Sequence, residues 1–369
     1  MARKAALLVL ALLVLGACRP AASPDELLER GRQAIEASQC VGVNRYEQAV
    51  ADLEGAVAAD PTLNEAYYWL YRAYSALGNT ERAASARTFL ETTAAGDQAT
   101  PETLYWLLRI YTDSSDTNGQ EQAIAALEAA TAATPDDAGA WYWLGRARYA
   151  LGNTPGAQEA LEQAVSLDPN HAAAAFWLGQ IFSEAGRLEE AAQMYDTALR
   201  LEPDNAAALH NRGVIAYQTG DLARAIADLE AAREQDPNDP QTRYQLGAVY
   251  LVRALPVSGV GLPDEAGLEQ ARTQFQAALD LCPGMPEPLV GLGNLYLVQG
   301  ETAAAIESLE EARQRAPGSP ETLFALAQAH AQAGDTTAAC QALDDFLALS
   351  PPDDWRAQGE QMRSQLACP

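Results

Sequence analysis

Proline returns on a 34-residue period in this chain. Pro135, Pro169, Pro203 and Pro237 keep that spacing, and Pro283, Pro317 and Pro351 resume it. The interval from Pro237 to Pro283 is 46 residues, one period lengthened by a 12-residue insertion. A fixed period of this size means one small supersecondary element copied along the chain. Such a chain folds as a stack in which each copy touches its neighbours. Its working surface is then an extended face rather than a buried pocket.

Alignment on the prolines brings the rest of the pattern into register. Residues 138–171 carry Trp141, Leu144, Gly145, Gly152, Ala157, Leu161, Ala164 and Pro169. The equivalents in 206–237 are Leu209, Gly213, Gly220, Ala225, Leu229, Ala232 and Pro237. In 286–317 they are Leu289, Leu292, Gly293, Tyr296, Gly300, Ala305, Leu309, Ala312 and Pro317. Apolar residues three and four apart fill two stretches per repeat, which predicts two amphipathic helices. Gly-Asn or Gly-Asp steps (Gly78-Asn79, Gly152-Asn153, Gly220-Asp221, Gly334-Asp335) separate them, because glycine accepts the left-handed geometry at a helix end. An Asp-Pro or Glu-Pro step stops the second helix.

This pattern resembles the tetratricopeptide repeat. The resemblance covers residues 24–351 as about nine repeats and implies an all-α, right-handed superhelical solenoid of helix-turn-helix units. The first repeat carries an inserted loop near residues 38–45, and the seventh holds the 12-residue insertion around 251–262. Residues 352–369, with an amphipathic stretch at 353–367, read as a C-terminal capping helix that covers the last apolar face.

The N-terminus has a different design. Arg3 and Lys4 precede an 11-residue apolar run, Ala5–Leu15, too short to span a bilayer and built like a signal peptide. It ends in Leu15-Gly16-Ala17-Cys18, which resembles a bacterial lipobox. That resemblance implies removal of residues 1–17 and lipidation of Cys18, with 18–23 as a short tether. The covalent lipid on Cys18 is the only non-protein group expected. Stable anchoring takes two or more acyl chains. Arg19 after the cysteine points to an extracytoplasmic, lipid-anchored protein, on the periplasmic side of the outer membrane where there are two membranes. Ser23-Pro24-Asp25-Glu26 reads as a helix start with a capping box.

Lys4 is the only lysine, so the mature chain has 22 arginines against 50 acidic residues, a formal net of −28. That surface repels nucleic acid. Loss of lysine also removes phosphate-binding Gly-Lys loops and Schiff-base chemistry. His171, His210 and His330 fall in different repeats, and no metal-ligand spacing occurs. Neither catalysis nor a metal site is expected. Antiparallel packing of the cap on the second helix of repeat nine would bring Cys340 to Cys368, predicting a disulfide. The alternative is two separate buried thiols. Cys40 and Cys282 lie six repeats apart and are expected not to pair.

One pattern exceeds the repeat's own needs. The first helices of repeats two to five contain Tyr68-Trp69 with Arg72, Tyr105-Trp106 with Arg109, Tyr142-Trp143 with Arg146, and Phe176-Trp177 followed by Gln180. Tryptophan and the arginine three residues on share one helix face. In tetratricopeptide repeats these variable positions line the concave face, so the resemblance implies an aromatic-arginine ladder there. Such residues build binding hot spots. Alternatively the ladder packs on itself, with tryptophans in the crevices and arginines paired to Glu65 or Glu102. The sequence thus predicts a membrane-anchored scaffold that holds a protein or peptide in its groove. Two alternatives stand beside it: an assembly or pilot lipoprotein for a secretin, pilus or outer-membrane complex, and a carrier of glycan or another small ligand.

Overall fold

The computed structural model describes residues 22–40, 43–96, 99–256 and 261–369. The signal-like segment and Cys18 lie outside them. The described residues form nineteen helices and no strand. Pairs 1 to 3 are α1 (Pro24–Ala37) with α2 (Tyr46–Ala59), α3 (Asn64–Ala76) with α4 (Thr80–Ala95), and α5 (Pro101–Asp113) with α6 (Thr117–Ala133). Pairs 4 to 6 are α7 (Ala138–Ala150) with α8 (Thr154–Leu167), α9 (Ala172–Glu184) with α10 (Leu188–Leu201), and α11 (Ala206–Gln218) with α12 (Leu222–Gln235). Pairs 7 to 9 are α13 (Pro240–Ala254) with α14 (Glu265–Leu281), α15 (Glu287–Gln299) with α16 (Thr302–Arg315), and α17 (Pro320–Gln332) with α18 (Thr336–Ala348). The cap is α19 (Asp353–Gln365). Contacts divide the chain into two compact units. One holds the residues up to Ser38 and Asn44–Ala126, the other Gln39–Val43 and Leu127–Pro369.

The joint inside each pair follows from local chemistry. Gly78, Gly152, Gly220 and Gly334 sit at φ between 71° and 84°. At the first of them, the Gly78 and Asn79 amides donate back to the Ser75 and Tyr74 carbonyls at 3.1 and 2.8 Å, closing the helix end. The next side chain opens the following helix: Asn79, Asn153, Asp221 and Asp335 each accept an amide three residues on. Pair 3 uses Ser115 at this joint, with φ 57°. Its bonds are the same, Ser115 to Thr112 and Asp116 to Tyr111. The Ser23–Glu26 capping box starts α1, with Pro24 in the first turn.

Close approach holds the pairs together. A Cβ added at Gly145, Gly213 or Gly293 would stand 2.7, 2.8 or 2.5 Å from the Cγ of Leu161, Leu229 or Leu309. Those leucines are fully buried, each contributing about 1.5–3 kcal/mol. At the C-terminal end Phe324, Phe346 and Trp355 cluster under α19, and Cys340 is bonded to Cys368 with Cα atoms 5.6 Å apart.

The expectation for the other cysteines is overturned. Cys40 is bonded to Cys282, with Cα atoms 5.2 Å apart across 242 residues of sequence. Distance along the repeat array is not distance in space. The segment 39–43 between α1 and α2 instead groups with the second compact unit, where Cys282 ends α14.

Two outcomes test this description. Ser115→Gly relieves a left-handed serine and raises stability by about 0.5–1 kcal/mol, read as a higher melting temperature. Thiol titration of the denatured, unreduced soluble chain from Arg19 yields no free thiol, and reduction releases all four. Replacing Cys340 and Cys368 with serine costs about 3–4 kcal/mol for a loop of that size.

Candidate functional site

In the first compact unit the ladder closes on itself. Tyr68, Tyr105, Trp69 and Trp106 are 0, 1, 8 and 4% exposed. The indole N–H of Trp69 donates to Glu65 at 2.9 Å, and that of Trp106 to Glu102 at 3.3 Å. Arg109 donates to the hydroxyls of Tyr68 and Tyr105 at 3.0 and 3.1 Å and stacks over the Tyr68 ring. Tyr68 itself stacks on Trp106 at 5.3 Å. Arg72 lies over the rings of Trp69 and Tyr68 and approaches Asp113 at 3.6 Å. The tryptophans therefore take the glutamates that had been assigned to the arginines. The arginines turn to tyrosine hydroxyls and aromatic faces. Burial pushes Tyr68 up to about 12. A cleft of about 260 Å³ remains beside Arg72, between Tyr46, Tyr71 and Asp113.

In the second compact unit the same positions are more open. Tyr142 is buried, but Trp143, Arg146, Phe176 and Trp177 are each half-buried. The Arg146 guanidinium lies 4.3 Å from the Trp177 ring centre and 5.6 Å from that of Trp143, and donates to the Tyr142 hydroxyl at 3.1 Å. Beyond Trp177 the ladder turns polar. Gln180 stands one repeat after Arg146, and Asn211 one repeat after Trp177. Asn211 donates to Gln180 at 3.2 Å, Gln180 donates to Glu184 at 3.0 Å, and the Tyr149 hydroxyl also donates to Glu184. Tyr149 in turn lies against Trp177, ring centres 5.5 Å apart. The sequence reading missed Tyr149, Glu184 and Asn211 as parts of this face. Counting one period on from Trp177 would have found the asparagine.

Further along, His210, Tyr217 and Tyr244 continue the row, half-buried. Nδ1 of His210 lies 2.7 Å from the Thr242 hydroxyl, which is bonded to Asp239. Burial holds His210 below its ordinary value, against the pull of Asp239. A threonine, a histidine and an aspartate in contact resemble a hydrolytic triad, but the geometry argues for a helix cap. Thr242 is 2% exposed and its hydroxyl donates to the carboxylate, while Asp239 accepts the Thr242 and Gln241 amides as the N-cap of α13. Among the described residues no three His, Cys, Asp or Glu side chains gather to hold a metal ion, and no helix is long and apolar enough to cross a membrane.

A second recurring contact also escaped the sequence reading. Tyr74, Tyr111 and Tyr250 each donate to a glutamate 20 residues earlier, Glu54, Glu91 and Glu230. Arg82, Arg87 and Arg253 stack on those three rings. Each tyrosine lies on the first helix of the pair that follows its glutamate's, so the contact ties neighbouring pairs together. Burial and the glutamate bond push Tyr250 up to about 12, and Tyr149 likewise with Glu184.

Comparison with known proteins agrees with this architecture. A family model described as the cytochrome c-type biogenesis protein H TPR domain matches residues 97–243. A tetratricopeptide-repeat model matches 290–354. No curated protein matches the chain. Among solved structures, a monomeric mutant of IFIT1 with m7Gppp-AAAA is 13% identical at TM-score 0.63, over 94% of this chain and 87% of its own. A chain of the APC/C hetero-tetramer Cut9–Hcn1 is 16% identical at TM-score 0.62, over 91% of this chain, which spans 62% of that chain's length. A tetratricopeptide repeat protein from Parabacteroides merdae is 16% identical at TM-score 0.53, over 70% of this chain and 98% of its own. At such identities the likeness establishes the fold, a superhelical solenoid of tetratricopeptide repeats.

The two halves of the ladder differ measurably. Trp69→Ala or Trp106→Ala empties a buried site and costs about 3–5 kcal/mol. Trp177→Ala, half-exposed, costs about 1 kcal/mol, both read by thermal melts. Tyr68, Tyr149 and Tyr250 titrate near 12, above the ordinary 10.0. A phenol raised in the folded state adds stability that is complete below the unfolded value and lost as pH rises through the folded one. Melting temperature therefore falls between pH 10 and 12 as these three ionise.

Proposed function

The chain carries tetratricopeptide-repeat domains, and on that premise we propose that it is an extracytoplasmic scaffold, anchored by lipid on Cys18, that holds a protein segment along its first helices. One observation carries this reading. On α7 and α9 the Trp143, Arg146, Phe176 and Trp177 row is half-exposed, flanked by the Tyr149–Glu184–Gln180–Asn211 chain of hydrogen bonds. Aromatic rings supply contact area at low entropy cost, and a stacked arginine adds a charged donor with fixed direction. The polar chain beside them offers partners for a peptide backbone. Tyr68, Trp69, Arg72, Tyr105, Trp106 and Arg109 support the scaffold from within the first unit rather than contribute its open face.

Anchoring rests on Leu15-Gly16-Ala17-Cys18 and on the disulfides, which belong to oxidising compartments. The assembly-factor reading draws support from the match of 97–243 to the repeat domain of a cytochrome c-type biogenesis protein.

The test uses the soluble chain from Arg19 as bait in an envelope extract. Wild type is compared with Trp177→Ala/Arg146→Ala and with Trp355→Ala, on the cap helix, as a control outside the row. The expected result is loss of specific partners with the double variant alone. Identical partner profiles from all three overturn the groove reading, and stabilisation by saccharides instead of peptides favours the carrier. In parallel, Cys18→Ser in the full chain moves the protein from the membrane to the soluble fraction. Its staying with the membrane overturns the anchor.

A further inference from the structure

A repeat position that the ladder does not use carries a different signal. The residue just before the buried apolar anchor of each second helix is polar and buried in three pairs: Asp52 before Leu53, Asp228 before Leu229 and Gln274 before Phe275. In pairs 1 and 6 an arginine on the first helix meets it. Arg30 reaches Asp52 at 2.6 Å, and Arg212 grips Asp228 with two bonds of 2.7 and 2.6 Å. Both arginines stand where the other pairs have leucine, one residue before the small position of the first helix. Carboxylate and guanidinium have been exchanged in together, which meets both oxygens of Asp228 in pair 6 and Oδ1 of Asp52 in pair 1, where Oδ2 has no donor among the described residues.

Pair 7 has only half of this exchange. Gln274 is 9% exposed, Leu246 stands in the arginine's place fully buried, and Oε1 of Gln274 finds no hydrogen-bond donor among the described residues. A buried acceptor left unmet costs about 1–3 kcal/mol. Gln274 also lines an open cleft of about 490 Å³ between α12, α13 and α14, with Glu230, Glu269, Arg233 and Tyr250. On the other flank of α14 lies a larger cleft of about 680 Å³ against α15 and α16, lined by Asp280, Glu307 and Glu311 over Leu279, Leu289 and Tyr296. Its one arginine, Arg315, is already tied to Glu311 and to the Met285 carbonyl. The two clefts thus gather five carboxylates against two guanidinium groups, over an apolar floor. The 12-residue insertion gives α14 seventeen residues and makes it the ridge between them.

We infer that these two clefts form a second docking surface, separate from the aromatic row, for an arginine-bearing segment of a protein partner. The partner supplies in trans the guanidinium that Arg30 and Arg212 supply in cis. Its arginine donates to Glu269 and, as the Gln274 side chain turns its enclosed amide oxygen into the cleft, to Gln274, and its apolar side chains settle on Leu279, Leu289 and Tyr296. Charge complementarity selects this occupant: an acidic segment would be repelled by the five carboxylates, and a neutral one would leave their charge uncompensated. Arginine suits the site better than lysine, because its planar fork satisfies an amide oxygen and a carboxylate together.

The probe is a short helical peptide of alanine, leucine and arginine, measured by fluorescence anisotropy with the soluble chain from Arg19. A matched peptide with citrulline for arginine keeps the shape and removes the charge. The wild type should bind the arginine peptide about tenfold or more tightly than the citrulline peptide. A Leu246→Arg/Gln274→Asp variant copies the pair-6 arrangement and should lose about tenfold through its own internal guanidinium. Gln274→Met, the residue that pair 5 carries as Met194, covers the case in which the double variant does not fold and should weaken binding several-fold. Trp177→Ala should leave this binding unchanged, which separates failure here from failure of the groove. Equal binding of the two peptides, undiminished binding by folded Gln274→Met, or no binding of the arginine peptide overturns the proposal.

Discussion

Helix pairs 1 and 4 to 8 depend on the contact between a glycine of the first helix and a buried leucine or aromatic ring of the second, and pair 9 keeps a small residue, Ala327, in that place. Glycine inside a helix costs about 1 kcal/mol relative to alanine. Burying the opposing side chain returns more, about 1.5–3 kcal/mol, and it also brings the two backbones together so that the neighbouring alanines pack. The sum favours glycine wherever the partner is Leu161, Leu229, Phe275 or Leu309. Pairs 2 and 3 abandon the contact, with Tyr71 and Leu108 in the glycine's place. Their second helices are longer, at 16 and 17 residues, and Tyr67 stacks on Phe89 at 3.7 Å in pair 2. Bulk on the first helix is accommodated by a different second helix, and the aromatic density of these pairs is a consequence of that packing before it is a binding device.

Legibility in the sequence followed the range of the interaction. The helix joints were readable because a left-handed glycine and the cap after it are decided within a few residues. The cap helix was readable because a stack must end. The ladder was found as a pattern, but its state was not: whether Trp69 and Trp106 are covered depends on Glu65, Glu102 and the tyrosines of a neighbouring repeat. Periodicity says which residues share a position and is silent on how deeply each is buried. Cys40 with Cys282 was misread for a related reason. Repeat spacing places the helices and says nothing of where a residue between two helices reaches, and Cys40 stands between α1 and α2.

The tyrosine-glutamate contacts show a third limit. Tyr74 with Glu54 and Tyr250 with Glu230 join consecutive pairs at a spacing of 20 residues, which is neither the helical period nor the repeat period. It is the distance from the middle of one second helix to the end of the next first helix. A search restricted to the two expected periods passes over it. Neighbour-to-neighbour interfaces carry much of the stability of a repeat array. Those contacts are therefore as much a part of the fold as the glycine joints.

Composition and contacts meet in the arginines. With no lysine after Lys4, each cation of the repeats is a planar guanidinium that stacks as readily as it pairs. Arg72, Arg109 and Arg146 lie on tyrosine and tryptophan rings, Arg82, Arg87 and Arg253 on the inter-repeat tyrosines, and Arg30 and Arg212 inside pairs. The positive charge is spent on internal cohesion, much of it partly covered by aromatic faces. Many of the carboxylates remain at the surface, with a formal net of −26 behind them. A scaffold arranged this way presents a field of one sign to its surroundings while its own cations hold it together. A field of one sign favours the approach of basic segments over acidic ones by long-range steering, while close contacts decide short-range selection.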